Sequence, residues 1–439
     1  MRRRRTDVKT RRRWFLWSGL PLLAGFLNLL ASCSLESPYL DICREFESLQ
    51  TVPVLDQGVG VVFEDPGTIV VQHGFACARS DNGRFIKVEQ SLDIPDYANQ
   101  ATVLLNGWRM NYSDDDHHVL VLTSVLGKIR FDQPRGAKKL TWQAIGILAD
   151  ENLKRHYGWC YYYTVIAWNQ TKLHAVVDNG DADKFCKSGP GSNNFFLTFN
   201  RYTTTALSCF LSFMENPSFA SSRKVAVLPR GFGFGWTNDH HLLQIACNVD
   251  ASETFIAKQR YKKADTEVTP LQSPNGRADA GFVSWNTSAI FKDNDSRRDY
   301  MFGELVSGMA GSDVDVLQPA FPILPQDSMG FFGACLGESP GIKTEQITID
   351  NIPYAYAIPM LTGWELSYPC KDHHVKEIGI WIDDLHYDQV PNSGVGTLRY
   401  RLSSVLDDTS DNGHAYRHKV SVLELKPLTP PPLPPTRLP

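Results

Sequence analysis

Gly107-Trp108-Arg109-Met110-Asn111-Tyr112-Ser113-Asp114-Asp115-Asp116-His117-His118-Val119 occurs, in diverged form, three times in this chain. Gly363-Trp364-Glu365-Leu366-Ser367-Tyr368-Pro369-Cys370-Lys371-Asp372-His373-His374-Val375 repeats it. So does the one-residue-shorter Gly231-Phe232-Gly233-Phe234-Gly235-Trp236-Thr237-Asn238-Asp239-His240-His241-Leu242. Each stretch alternates large apolar with other residues, turns through a short polar segment, reaches Asp-His-His and enters a second apolar run. Alternation on both sides of a polar loop predicts a β-hairpin.

Other marks recur around these stretches. Asp-His-His returns after 123 and then 133 residues, and Cys77, Cys209 and Cys335 are spaced by 132 and 126. Trp142 and Trp285 follow the first two Asp-His-His segments, and Leu398-Arg399-Tyr400 stands in that place in the third. Acidic loops come next, at Ala149–Asn152, Asp293-Asn294-Asp295 and Asp407-Asp408. A period near 130 residues is the size of a domain and well above that of solenoid units. With strand patterns throughout and no helical stripe, the expectation is an all-β chain of three tandem, divergent β-sandwich-like repeats, at 61–188, 189–318 and 319–426. Extra length around Lys258–Arg277 reads as a surface loop of the second repeat.

Flanking segments differ in composition. Residues 1–33 read as an export signal: Arg2–Arg5, Lys9 and Arg11–Arg13 precede the apolar run Trp14–Ala31. Arg12-Arg13-Trp14-Phe15-Leu16 resembles a twin-arginine export motif. Leu30-Ala31-Ser32-Cys33 resembles a bacterial lipobox, which implies acylation of Cys33. An uncleaved N-terminal anchor is the alternative, since Trp14–Ser32 is just long enough to span a bilayer. Either way the body is expected outside the cytoplasm, held to a membrane of the bacterial cell envelope. Residues 34–60 read as a tether, and 427–439 as a proline-rich tail.

The leader carries eight of the 44 Lys and Arg and one of the 48 Asp and Glu, so the remainder has a formal charge of −11. An acidic body disfavours nucleic acid, whose binding needs clustered cations. Nine cysteines less Cys33 leave an even number, compatible with disulfides in an exported protein, and there is no Cys-x-x-Cys. Gly-x-Ser-x-Gly, His-Glu-x-x-His and a dinucleotide fingerprint are all absent. The expected role is therefore non-catalytic, binding a glycan or protein ligand or serving as a structural part of the envelope. The alternative is a metal-binding protein or metal-dependent enzyme.

Strand alternation assigns parts to the repeated residues. Trp108, Met110 and Tyr112 share a face, as do Phe232, Phe234 and Trp236, and Trp364, Leu366 and Tyr368; these are expected core stripes. If each second limb begins at the Asp-His-His segment, His118, His241 and His374 face inward as core histidines. His117, His240 and His373 then become the candidate ligands of a divalent metal, together with Asp116, Asp239 and Asp372.

Overall fold

The computed structural model describes residues 50–80, 85–132, 138–150, 156–179, 201–203, 207–216, 219, 225–250, 281–294, 300–317, 341–353, 356–368, 371–389, 395–410 and 413–426. The export signal with Cys33, the loop Lys258–Arg277, Cys335 and the proline-rich tail lie outside the described residues.

The elements are strands, with no α-helix among the described residues. The first group is β1 (Asp56–Asp65), β2 (Ile69–Ser80), β3 (Ile86–Ile94), β4 (Gln100–Tyr112), β5 (Val119–Asp132), β6 (Lys138–Ala149) and β7 (Tyr157–Trp168). Next come β8 (Ala175–Asp178), β9 (Arg201–Thr203), β10 (Leu207–Asn216), β11 (Val225–His240), β12 (Gln244–Val249), β13 (Gly281–Lys292) and β14 (Tyr300–Gly311). The last are β15 (Val314–Leu317), β16 (Lys343–Pro353), β17 (Tyr356–Ser367), β18 (Glu377–Gln389), β19 (Val395–Asp407) and β20 (Ala415–Leu425).

They form three sheets. The first runs β1-β2-β7-β4-β18-β19-β16, the second β3-β6-β5-β11-β14-β8 with β9 also on β14, and the third β10-β13-β12-β17-β20-β15. Each sheet therefore joins strands from two distant parts of the chain. The joints are β4 on β18, β11 on β5 and β17 on β12.

This topology corrects the hairpin expectation. β4 and β5, on either side of Asp116-His117-His118, do not pair; β4 belongs to the first sheet and β5 to the second. β11 and β12 likewise split between the second and third sheets, and β17 and β18 between the third and first. Each Asp-His-His segment is a corner between sheets, and three corners return the chain to its starting sheet. Pairing each limb with a distant strand buries both faces of its apolar run, which a two-stranded hairpin cannot do.

The stripes are core, as expected. Trp108, Met110, Tyr112, Phe232, Phe234, Trp236, Trp364, Leu366 and Tyr368 are all at most 4% exposed. Trp108, Phe232 and Trp364 meet as a triangle of rings with centroids 5.1, 5.3 and 4.8 Å apart. Such aromatic pairs add about 0.5–1.5 kcal/mol each beyond area burial. Trp142, Trp285 and Tyr400 are buried on β6, β13 and β19, the strands that pair with the second limbs.

A bulge precedes each triangle ring, at Leu105/Gly107, Pro229/Gly231 and Leu361/Gly363. Gly107 has φ +145° and leaves no room for a Cβ, which would sit 2.2 Å from the Trp381 Cα. The extra residues Asn106, Arg230 and Thr362 are buried polar groups. Asn106 is satisfied by donating to Thr164 Oγ1 (2.6 Å) and the Pro359 carbonyl (3.0 Å).

The cysteines do not share one structural place. Cys77 on β2 is disulfide-bonded to Cys160 on β7. Cys209 lies on β10, which pairs with β13 as β3 does with β6.

Candidate metal centre

The three corners meet through their backbones. His117 bridges Val375, His373 bridges Leu242, and His240 bridges Val119. The first histidine of each corner is thus tied to the residue after the second histidine of another corner. This closed ring brings the Asp-His-His segments together at one end of the three sheets.

The first histidines face into the protein. Each ring packs on the aromatic residue that ends its own limb: His117 on Tyr112 at 4.8 Å, His240 on Trp236 at 5.1 Å and His373 on Tyr368 at 4.8 Å. Each Nδ1 also faces a carboxylate of an acidic loop. His240 Nδ1 lies 2.8 Å from Asp293 Oδ2, His373 Nδ1 2.9 Å from Asp408 Oδ2, and His117 Nδ1 3.8 Å from Asp150 Oδ2. The three aspartate side chains are only 3–4% exposed. These three aspartates are therefore internal braces. The sequence marked them as acidic, but only packing reveals what each carboxylate holds.

The second histidines converge. The rings of His118, His241 and His374 lie with every pair of centroids 4.5 Å apart. One nitrogen from each falls within 4.8 Å of the other two. Their side chains are partly open, 44% exposed for His241 and 39% for His374. The assignment made from alternation is thus reversed. His117, His240 and His373 are the internal histidines, and His118, His241 and His374 form the cluster. The physical reason is that β5, β12 and β18 begin after the histidines, so the strand period cannot be carried back through an irregular corner.

Carboxylates from neighbouring corners stand behind this cluster. Asp116 Oδ1 is 3.4 Å from His374 Nδ1, and Asp372 Oδ2 is 3.9 Å from His241 Nδ1. The Asp239 side chain lies outside what the structure describes. Asp116 Oδ2 accepts from the Thr409 amide (3.1 Å) and hydroxyl (2.7 Å). Asp372 accepts from the Asn294 amide (3.2 Å) and Nδ2 (3.0 Å). Burial by itself would raise the Asp116 pKa, but the Thr409 hydrogen bonds and the His374 ring outweigh it and lower the pKa. The His241 pKa is lowered by burial and by repulsion from His118 and His374, which favours the neutral imidazole that a metal requires.

No family model, no curated protein and no solved structure matches this chain. Its chemistry is legible from the donors themselves. Three imidazoles, two of them with a carboxylate 3.4 and 3.9 Å from Nδ1, resemble the arrangement in which a carboxylate behind a histidine orients the ring and leaves Nε2 for an ion. Nitrogen donors of this kind suit zinc, copper, nickel or iron rather than calcium or magnesium.

Proposed function

We propose that this is a transition-metal-binding protein of the bacterial cell envelope, exported and held to the membrane through a lipid on Cys33. Three divergent copies of one β unit each contribute one metal ligand: His118, His241 and His374. The observation that carries this reading is the convergence of those rings from three corners separated by more than a hundred residues each. Recurrence of the same joints, bulges and aromatic stripes supports a threefold origin. A tetrahedral zinc–nitrogen length of about 2.0–2.1 Å sets nitrogens roughly 3.3 Å apart, so loading needs only a small inward swing of the rings.

The metal acts first as a clasp between the sheets, consistent with the non-catalytic role expected from the absence of hydrolase motifs. Glycan or protein ligands would be met by loops at the ends of the sheets. The test is elemental analysis of the purified mature protein beside a variant with His118, His241 and His374 changed to Ala. One zinc or similar ion per chain, absent from the variant, is the expected result. A metal-free native protein that also fails to take up added zinc would refute the reading.

A further inference from the structure

We infer that the metal centre keeps one coordination position for a ligand from solution, and that this ligand is a small monodentate anion, hydroxide among them. This rests on the metal reading above and goes beyond it, because a clasp alone needs a closed site. Structural zinc sites take four protein ligands, whereas three histidines leave a fourth place for water or substrate.

The geometry points to an open site on three counts. First, the group of ligating side chains among the described residues has three members, not four. Second, the rings are accessible, with His241 and His374 about two-fifths exposed. Third, the nearby carboxylates among the described residues already have partners. Asp116 is held by Thr409 and Asp372 by Asn294, both on the Nδ1 side of a clustered ring. Asp150, Asp293 and Asp408 face the first histidines and are buried. His117 Nε2 is committed to Asp114 Oδ1 at 3.0 Å.

Charge selects the ligand class. Three neutral imidazoles bring no charge to the ion itself, and Asp116 and Asp372 offset it only from behind the rings, so an anion at the fourth position would neutralise charge directly at the metal. A water bound there would lose a proton far more readily than bulk water, which would make hydroxide one of the anions the position can hold.

The experiment loads the full-length mature protein with Co²⁺ in place of its native ion and titrates azide while recording the visible spectrum. Tetrahedral cobalt bands that shift saturably, with one azide per cobalt, are expected. The His118→Ala variant should lose the bands, while Asp384→Asn, on an exposed site elsewhere, should keep both bands and shift. Intense cobalt bands indifferent to azide would overturn the open position while leaving the metal reading intact. Failure to bind cobalt or zinc at all would overturn both.

Discussion

The imidazole Nδ1 of His374 stands 3.4 Å from the carboxylate of Asp116, two residues 258 positions apart in the chain. The same carboxylate accepts two hydrogen bonds from Thr409 of the third acidic loop. One corner thus supplies a ring of the cluster and another holds that ring in place, so the cluster exists only when all three corners are docked.

His118→Ala should cost little in the metal-free protein, within about 0.5 kcal/mol, because the ring is only half-buried. In the metal-loaded protein it should abolish the stabilisation that a ligand gives by binding only the folded state, about 2.7 kcal/mol at a hundredfold excess over Kd. Thermal melts of the native protein and the variant, with and without a chelator, measure both quantities. Equal melting shifts in the two proteins would contradict the assignment.

His373→Ala acts oppositely. It removes one partner of the buried Asp408, which keeps the Ser410 amide, and the ring packed on Tyr368, with or without metal. The expected loss is roughly 1–3 kcal/mol, read from the urea midpoint in the presence of a chelator. A loss no greater than that of His118→Ala would show that the two histidines have been assigned the wrong way round.

Acid should weaken the metal-free fold before carboxylates titrate. Burial lowers the His73 pKa from 6.5 to about 4, and burial with the nearby Lys343 lowers that of His414 to about 3. The unfolded chain therefore takes up protons below pH 6.5 that the folded chain refuses. Stability is fully present above 6.5 and falls as pH drops towards 4, by up to about 1.4 kcal/mol per pH unit for each group. His73→Gln should make the decline shallower, whatever its effect on absolute stability. A pH profile of the same slope in this variant would remove His73 from the account.

Gly107→Ala should be severe, costing about 3 kcal/mol or more, since φ +145° and the Trp381 backbone both oppose a Cβ. Gly363→Ala, at the corresponding bulge, meets first the Asn248 side-chain oxygen, which can rotate away, and should cost less. Denaturant melts of the two variants decide the order.

If Cys33 carries the proposed lipid, Cys33→Ala should move the protein from the membrane to the soluble extracytoplasmic fraction. Retention in membranes would favour an uncleaved N-terminal anchor.

Much of the core was readable before any fold was known. Trp108, Met110 and Tyr112 follow a two-residue period, and that period is what a strand imposes on its buried face. Trp142 and Trp285, with Tyr400 in their place in the third stretch, were also readable from spacing, and they occupy matching strands. The cysteine spacing was not a guide of the same kind, because Cys77 and Cys209 lie on strands with different partners. The histidines failed for a local reason. Alternation assigns faces only within a strand, and His117 and His118 precede β5, which begins at Val119.

By itself, the sequence determined that strands would form, which side chains they would bury, and that three similar polar turns would carry Asp-His-His. Those outcomes follow from local pattern and from the cost of leaving large apolar groups in water. Tertiary structure alone decided that each corner passes between sheets, that β4 joins β18 rather than β5, and that His118, His241 and His374 meet. Such contacts link residues more than a hundred positions apart. Their geometry depends on how whole sheets dock, which no window of neighbouring residues encodes.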